Sequence, residues 1–284
     1  MTLRLPKTLL RSAALSALIL AGSALHGEAT DLASERLLGI ALKEEQIYKR
    51  IAEDPDFYTG ADLDRRINEL VQSYRSYLTD HPNDVDALVL YGKLLRRVEM
   101  NEQAFRAFLK ADQLDPTMAV VKQQLGTHLA EEGKGKAALT FYLQAVELEP
   151  ETAMYHYAVG QLLNEFRDEF LEDNMFTADT LDREMLQGFR TAAKLEPDNF
   201  DLHMRLGEAY YDLNIADWQT ALGHWEKLLE AQEQPMRRDI VSLHKARVLG
   251  KLGRAAEARE TLDTVEHPAL QFSRQQVLDE LAQH

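Results

Sequence analysis

The chain has 284 residues, of which 45% are hydrophobic and 28% are charged, a composition typical of a folded protein. Its formal charge is −15, which argues against nucleic acid or an anionic membrane as the main partner, because both attract basic surfaces. The absence of cysteine excludes disulfide bonds, and it also excludes a lipid-modified cysteine at an export cleavage site.

The N-terminus has the features of an export signal. Three basic residues precede an apolar stretch at residues 12–25, which suits the middle of a signal peptide and is short for a membrane span. Small residues follow, so we predict a signal peptide over residues 1–29 and a periplasmic or secreted protein. The alternative is an uncleaved anchor or a chance apolar helix. No twenty-residue apolar run occurs downstream, so we expect no membrane span in the mature chain.

Residues 30–82 are predicted to form an N-terminal helical cap or a degenerate repeat. The stretch "DLDRRINELVQSYRSYLTDHP" has the length and closing proline of a second helix, and its expected partner is a helix around Glu35–Ile51. Between them, residues 54–64 contain several acids and a glycine, but the glycine is one place late for a calcium loop and the bidentate acid is missing. This stretch is therefore predicted to be a turn and a helix start.

An internal repeat follows. Prolines and glycines recur at steps of 34 residues: Pro82, Pro116 and Pro150, and Gly92, Gly126 and Gly160. Pro197 and Gly207 follow after a step of 47, so the third repeat carries 13 extra residues. A fixed period of this length is the signature of a repeat architecture.

Each repeat contains two helical segments. In residues 85–118, small and apolar residues recur at three- and four-residue steps on both sides of a break near residue 100. A glycine inside a helix costs about 1 kcal/mol relative to alanine, so Gly92 predicts a close contact at which Phe108 docks. Gly126 and Tyr142 have the same relationship in the next repeat. Proline ends the second helix because its ring and missing N–H cannot continue it.

This pattern resembles the tetratricopeptide repeat, in which Leu-Gly-x-x-Tyr is followed by alanine, an aromatic residue, alanine and proline. The predicted repeats are 85–118, 119–152, 153–199 with the insertion, 200–238 and a partial one at 239–270, before a capping helix at 271–284. Met185 departs from the small residue that the family prefers at its slot. The resemblance implies an all-α solenoid of stacked antiparallel helix pairs in a right-handed superhelix, without a β-sheet. It also implies that the first helix of each pair lines a groove for a peptide or protein partner, and that catalytic machinery is absent.

Helical geometry at 100° per residue identifies the groove side of each first helix. The predicted partner-binding residues are Lys93, Arg96, Arg97, Gln123, Gln124, Thr127, Met154, Tyr157, Gln161, Asn164, Met204, Arg205, Glu208 and Tyr211. Their charge runs from basic at the start to acidic at the end, with amides and apolar anchors between. The alternative is a solvated face whose tyrosines lie against neighbouring helices. The side chains with which one subgroup of the family clamps a C-terminal carboxylate are missing from the matching slots.

The insertion, around residues 164–180, contains the apolar residues Phe170, Leu171, Met175 and Phe176 among several acids. Two structures remain open for it. One is a longer first helix packed on its neighbour, and the other is a lid over the groove, because insertions in solenoids often lie on the binding face.

No motif for catalysis, phosphate binding or zinc binding occurs, and His156 and His203, which share a packed slot, are predicted to be semi-buried structural residues. Residues 132–137, "EGKGKA", fall where the repeat requires a tight turn. We therefore predict a non-enzymatic, exported interaction scaffold or adaptor without a cofactor or metal. The alternative is a cell-envelope assembly chaperone that holds an unfolded client such as apocytochrome c, because "ADWQTALGHWEKLLE" at 216–230 resembles helices of that class.

Overall fold

A computed structural model of the chain describes residues 28–282, and the basic and apolar parts of the predicted signal peptide lie outside the described residues. Within this range the chain forms fourteen α-helices and one 3-10 turn, and none of the described residues lies in a strand. The prediction of an all-α fold is confirmed. The chain divides into two compact units, which meet in sequence between Leu148 and Glu149.

The first unit consists of three helix pairs joined by short turns. Its helices are α1 (Glu28–Glu53), α2 (Gly60–Asp80), α3 (Val85–Arg97), α4 (Asn101–Leu114), α5 (Ala119–Glu131) and α6 (Gly135–Leu148). Each helix packs on the next one in the chain, and one continuous set of buried side chains runs from α1 to α5.

The second unit is likewise built from helices that pack on their neighbours in the chain. Its helices are α7 (Ala153–Glu165), α8 (Arg167–Glu172), α9 (Ala178–Leu195), α10 (Phe200–Ala209), α11 (Trp218–Ala231), α12 (Pro235–Lys251), α13 (Ala255–Asp263) and α14 (Gln271–Ala282), with the 3-10 turn at Pro268–Leu270. The last helix, α14, packs on α12 through Leu281, which lies against Gly250. A helix of this kind covers apolar surface that the last pair would otherwise expose.

Side-chain caps and turns set the helix boundaries. The Thr59 hydroxyl accepts a hydrogen bond from the Asp62 N–H at 3.2 Å, and Asp84 accepts one from the Ala87 N–H at 3.0 Å, which starts α2 and α3. Gly133 has a φ of +71° between α5 and α6, a conformation that glycine adopts without strain. The turn and helix start predicted over residues 54–64 are confirmed, since α2 begins at Gly60. The tight turn predicted over residues 132–137 is shorter than expected, because α6 begins at Gly135.

Glycine and aromatic residues interlock within the pairs, as the sequence predicts. A Cβ atom on Gly92 would lie 2.7 Å from the Phe108 ring, and one on Gly126 would lie 2.6 Å from the Tyr142 ring. In α10 and α11, Gly207 gives the same room to Trp225, which is completely buried. The glycines are therefore explained by packing, which outweighs their poor helix propensity.

The extra residues of the insertion contribute to two helices, which the sequence analysis did not predict. First helix α7 ends at Glu165, so the expectation of a longer first helix is wrong. The extra residues form the short helix α8 and lengthen the second helix, α9, to 18 residues against 14 in α6. Phe170 of α8 is completely buried and packs against Phe166 and Phe176. The aromatic residues of the insertion thus lie against protein.

One buried carboxylate ties the insertion to the next turn of the chain. Arg167 donates a short hydrogen bond to the Oδ1 atom of Asp182, which is buried in α9. The backbone N–H of Asn214 donates to the other oxygen, Oδ2, at 2.7 Å. Asp182 therefore joins the start of α8 to the turn between α10 and α11.

Candidate functional site

The predicted binding residues of the first unit, here called the first-unit face, lie on α3 and α5 and are all partly buried. They are Lys93, Arg96, Arg97, Gln123, Gln124 and Thr127. The basic character predicted for this face is reduced by two ion pairs. Arg96 forms a two-pronged pair with Glu131, at 2.5 and 2.7 Å, and this pairing lowers the pKa of Glu131.

Arg97 is paired with a residue that the sequence analysis did not connect with the face. Its Nη1 atom lies 3.3 Å from Oε1 of Glu44 on α1, and its guanidinium group stacks 4.0 Å from the centre of the Tyr48 ring. The Tyr74 hydroxyl donates to Oε2 of Glu44 at 3.0 Å. Helix α1 thus brings a carboxylate that is only 13% exposed against α3. Burial raises the pKa of Glu44, and the Arg97 charge opposes that effect.

Lys93 lies one turn before Arg97 on the same side of α3. Lys93 forms no hydrogen bond or ion pair with another described residue, although Glu44 is near enough for its charge to act on the ammonium group. Burial lowers the pKa of Lys93, the Arg97 charge lowers it further, and the Glu44 charge acts in the opposite direction. Arg96 and Arg97 each have an ion-pair partner among the described residues, and Lys93 has none there.

The polar side chains of α5 are bonded mainly to one another. Gln124 donates to Gln123 at 2.6 Å, Gln123 donates to the Thr127 hydroxyl at 3.0 Å, and this hydroxyl lies 3.0 Å from that of Tyr142. The row leads from the partly exposed side of α5 to the ring that docks at Gly126. The Gln124 carbonyl oxygen accepts no hydrogen bond from any described residue, so the row has acceptor capacity left at its outer end.

The predicted binding residues of the second unit form the second-unit face, on α7, on α10 and just beyond α10. They are Met154, Tyr157, Gln161, Asn164, Met204, Arg205, Glu208 and Tyr211. Met154 is 55% exposed, and the others are partly buried. Arg205 organises the centre, since it donates to Gln161 at 3.3 Å and to Asp212 at 3.1 Å and stacks over the Phe189 ring at 4.3 Å.

Tyr211 lies against neighbouring helices. This agrees with the alternative prediction, in which the tyrosines pack on neighbouring helices and do not serve as anchors for a partner. Its ring is 5.6 Å from Trp218 and 5.9 Å from His244, and its hydroxyl lies 3.4 Å from the Nδ1 atom of His244. Burial raises the pKa of Tyr211 to about 12. Tyr157 similarly packs edge-on against Phe189 at 5.7 Å. Both rings contribute to packing inside the unit.

The two slot-sharing histidines have a role that the sequence did not reveal. The Nε2 atom of His156 lies 2.7 Å from the carbonyl oxygen of Pro150, and that of His203 lies 3.0 Å from the carbonyl oxygen of Pro197. Each histidine therefore satisfies a backbone carbonyl at the proline that precedes its own repeat. The equal spacing of six residues is the signal in the sequence that could have indicated this contact.

One group of three potential metal ligands occurs among the described residues. Single ligand atoms of Glu102, His128 and Glu132 lie within 4.8 Å of one another. Both carboxylates already have a cation nearby, Arg106 at 3.7 Å from Glu102 and Lys134 at 2.6 Å from Glu132. We interpret the group as a surface charge cluster.

None of the helices between residues 28 and 282 has the length and apolar character that a membrane crossing requires.

Comparisons with known proteins reveal similarity in fold and not in sequence. No protein-family profile matches the sequence, and no curated protein sequence matches it. Among solved structures, PilF of Pseudomonas aeruginosa matches with a TM-score of 0.56 and 16% identity, over 89% of this chain and 100% of PilF. YrrB, described as a TPR protein with an unusual peptide-binding site, matches with a TM-score of 0.55 and 16% identity, over 69% of this chain and 91% of YrrB. The repeat period, the interlocked helix pairs and these matches together show that the chain has the tetratricopeptide repeat fold.

Proposed function

We propose that this chain is an interaction scaffold or adaptor that binds an extended peptide, or an extended segment of a protein, on the first helices of its repeats. The fold supports this proposal, because YrrB, which shares it, is described as having a peptide-binding site. The observation that carries it is the polar row on α5. Gln123, Gln124 and Thr127 bond to one another on a partly exposed helix side, and no described residue donates to the Gln124 carbonyl oxygen.

A row of amides suits the backbone of an extended peptide. Such a backbone presents N–H and C=O groups that need partners, and a glutamine side chain supplies one acceptor and two donors. Because Gln123 and Gln124 already hold each other in place, a bound peptide would order few additional side chains. On the second-unit face, Met154 adds a flexible apolar side chain that is more than half exposed, which suits contact with varied peptide side chains.

Export to the periplasm or beyond the cell is part of the proposal. It is supported by the basic and apolar segments of residues 1–25. The test is the N-terminal sequence of the protein recovered from a cell-envelope fraction. A start at residue 30 is expected, and recovery of the intact N-terminus in the cytosol would contradict export.

The alternative function, an assembly chaperone for an unfolded client, rests on residues 216–230. Trp225, the central aromatic residue of this stretch, is completely buried against Gly207. Packing within the pair therefore accounts for the tryptophan, and the stretch gives the chaperone function no separate support.

The peptide-binding function is tested by selecting random displayed peptides on the full chain and measuring the affinity of the enriched peptides by fluorescence anisotropy. We expect the double substitution Gln123→Ala and Gln124→Ala to weaken binding about tenfold or more, because it removes the partners of the peptide backbone. The matched control is Gln113→Ala, which removes an exposed glutamine from second helix α4 and should leave the affinity unchanged.

Two results would contradict the proposal. One is the absence of any enriched peptide. The other is equal affinity of the enriched peptides for the wild type and for the α5 double variant, which would place their binding elsewhere.

A further inference from the structure

The surface charge cluster of Glu102, His128 and Glu132 connects two neighbouring repeats of the first unit. Glu102 lies in the first turn of second helix α4, His128 in the last turn of first helix α5, and Glu132 immediately after α5. One ligand atom of each residue lies within 4.8 Å of the other two. The sequence contains no zinc motif at this place, because only His128 and Glu132 are close together in the chain. The fold brings Glu102 to them.

Packing holds the imidazole ring of His128 in place. Its side chain is only 7% exposed, and its ring stacks on that of Phe105 at 4.2 Å. The Nε2 atom lies 3.5 Å from Oε1 of Glu132, which is too far for a good hydrogen bond, and no described residue forms a hydrogen bond with the ring. Buried polar side chains normally have such a partner. The ring therefore presents to the Glu132 carboxylate a nitrogen that can still bind a ligand.

The cations beside the two carboxylates are exposed. Lys134 lies 2.6 Å from Glu132 and is 57% exposed, and Arg106 lies 3.7 Å from Glu102 and is 66% exposed. Exposed ion pairs of this kind contribute little to stability, because water weakens the attraction and two long side chains lose conformational freedom. A doubly charged ion placed between the carboxylates would attract both of them and could displace Lys134 and Arg106.

We propose that Glu102, His128 and Glu132 bind one zinc ion. A site with an imidazole nitrogen and carboxylate oxygens suits zinc, whereas magnesium and calcium prefer oxygen ligands alone. Tetrahedral zinc places its ligand atoms about 3.3 Å apart, so the carboxylates need to approach the fixed ring by at most about 1.5 Å. Both glutamates are exposed and can turn. Three protein ligands leave one tetrahedral position for a water molecule.

Bound zinc would join the second helix of one repeat to the first helix of the next. In the unfolded chain Glu102 is separated from the other two ligands by a long loop, so the ion should bind the folded protein more tightly and stabilise it. The proposal goes beyond the peptide-binding function and does not depend on it, because none of the three residues is among the predicted partner-binding residues.

The test is a titration of the full chain with zinc chloride, followed by NMR of isotope-labelled histidine rings. The His128 signals are assigned by their loss in His128→Gln. We expect these signals to shift saturably with one zinc ion per chain and to remain unmoved by the same concentration of magnesium. Zinc should also raise the urea midpoint of unfolding of the wild type.

Glu102→Gln and Glu132→Gln should each weaken zinc binding at His128 tenfold or more. Even residues that only support a metal ligand are worth about 10–100-fold in affinity, and these two are ligands themselves. Both side chains are exposed, so the variants should fold like the wild type. The matched control is Glu147→Gln, which removes an exposed acid from α6 and should leave zinc binding unchanged.

The variant Lys134→Ala tests the proposal in the opposite direction. It removes the cation that zinc displaces from Glu132, so zinc should bind severalfold more tightly than to the wild type. Weaker or equal binding would mean that zinc does not take the place of Lys134, and this would contradict the proposed site.

Three further results would overturn the proposal. The first is the absence of a saturable shift at His128, and the second is an equal shift with magnesium. The third is unchanged zinc affinity in both glutamine variants, which would place the ion elsewhere on the acidic surface. These results are independent of the peptide measurements, so the zinc site and the peptide-binding function can each fail without the other.

Discussion

Gly188 of α9 lies so close to Gly160 of α7 that a Cβ atom on Gly188 would be 3.0 Å from the Gly160 nitrogen. It would also be 2.8 Å from the carbonyl oxygen of His156. Both neighbours are backbone atoms, which cannot turn away as a flexible side chain can. Met185, which occupies the slot where the family prefers a small residue, is completely buried. The close approach of the two helices is made by Gly188, one turn further along.

Gly188→Ala should therefore destabilise the protein by about 1–3 kcal/mol, since the added methyl group forces the two backbones apart. The measurement is the urea midpoint at a constant m-value. Gly223→Ala is the matched control in α11, where no atom lies within 4 Å of the added Cβ. There the alanine should stabilise the helix by roughly 0.5–1 kcal/mol. Equal gains from both substitutions would contradict the proposed contact.

A buried ion pair joins α4 and α5. The Lys122 ammonium lies 2.7 Å from Asp112, and both side chains are less than a fifth exposed. Lys122→Met should cost about 2–3 kcal/mol, because it leaves the Asp112 charge buried without a partner. The double variant Lys122→Met with Asp112→Leu should recover most of this loss, which a double-mutant cycle measures directly.

The exposed pair of Arg106 and Glu102 is the control for this cycle. Its side chains are 66% and 69% exposed and lie 3.7 Å apart on α4. Arg106→Met should change the unfolding free energy by less than about 0.5 kcal/mol. A loss of stability as large as that for Lys122→Met would mean that burial does not determine how much these ion pairs contribute to the unfolding free energy.

Asp182 should be required for an ordered turn after α10. Asp182→Asn keeps the size of the side chain but removes the charge that Arg167 faces, and it weakens the acceptor for the Asn214 N–H. We expect a loss of about 2 kcal/mol in stability and faster hydrogen exchange at the Asn214 amide. Glu184→Gln on the same helix, where Glu184 pairs with Arg183 on the exposed side, should change neither. Unaltered exchange at Asn214 in Asp182→Asn would refute the link.

His244 should make the stability of the protein depend on pH. Burial lowers the pKa of His244 to about 4, and the nearby Arg247 charge acts in the same direction. The unfolded chain has a histidine pKa of about 6.5, so it binds the proton first as the pH falls. The contribution of His244 is therefore complete above pH 6.5 and is lost progressively down to pH 4, in total on the order of 3 kcal/mol.

His244→Phe retains an aromatic ring against Trp225, which His244 stacks on at 4.5 Å, but cannot take up a proton. The stability of this variant relative to the wild type should rise as the pH falls from 6.5 to 4, measured by urea unfolding at each pH. A constant difference across this range would show that His244 is protonated equally in both states.

The packed slots of the repeats were predictable, but their contacts were not. The fourth slot of successive repeats holds Leu88, Lys122, His156 and His203. The pattern predicts that all four are turned towards a neighbouring helix. It does not predict that Lys122 pairs with Asp112 or that the histidines bond to proline carbonyls. The slot indicates which side of the helix a residue faces, but not which atoms it meets there.

The insertion shows the same limit. Its apolar residues indicated a packed helix or a lid, and the structure resolved them into a separate short helix and a longer α9. Phe170 packs against Phe166 and Phe176 and so fixes the position of the short helix. These contacts do not follow the helical periodicity and could not be predicted from it.

By itself, the sequence determined the repeat period, the helix pairs and the docking of aromatic rings on glycines. These features depend on residues a few positions apart, whose geometry the helix itself dictates. Only the tertiary structure decided which charges of the first-unit face are already balanced. Arg96 meets Glu131 and Arg97 meets Glu44 across helices that are distant in sequence, whereas Lys93 meets no acid among the described residues. Charge balance depends on distances in space, and the order of residues along the chain does not contain them.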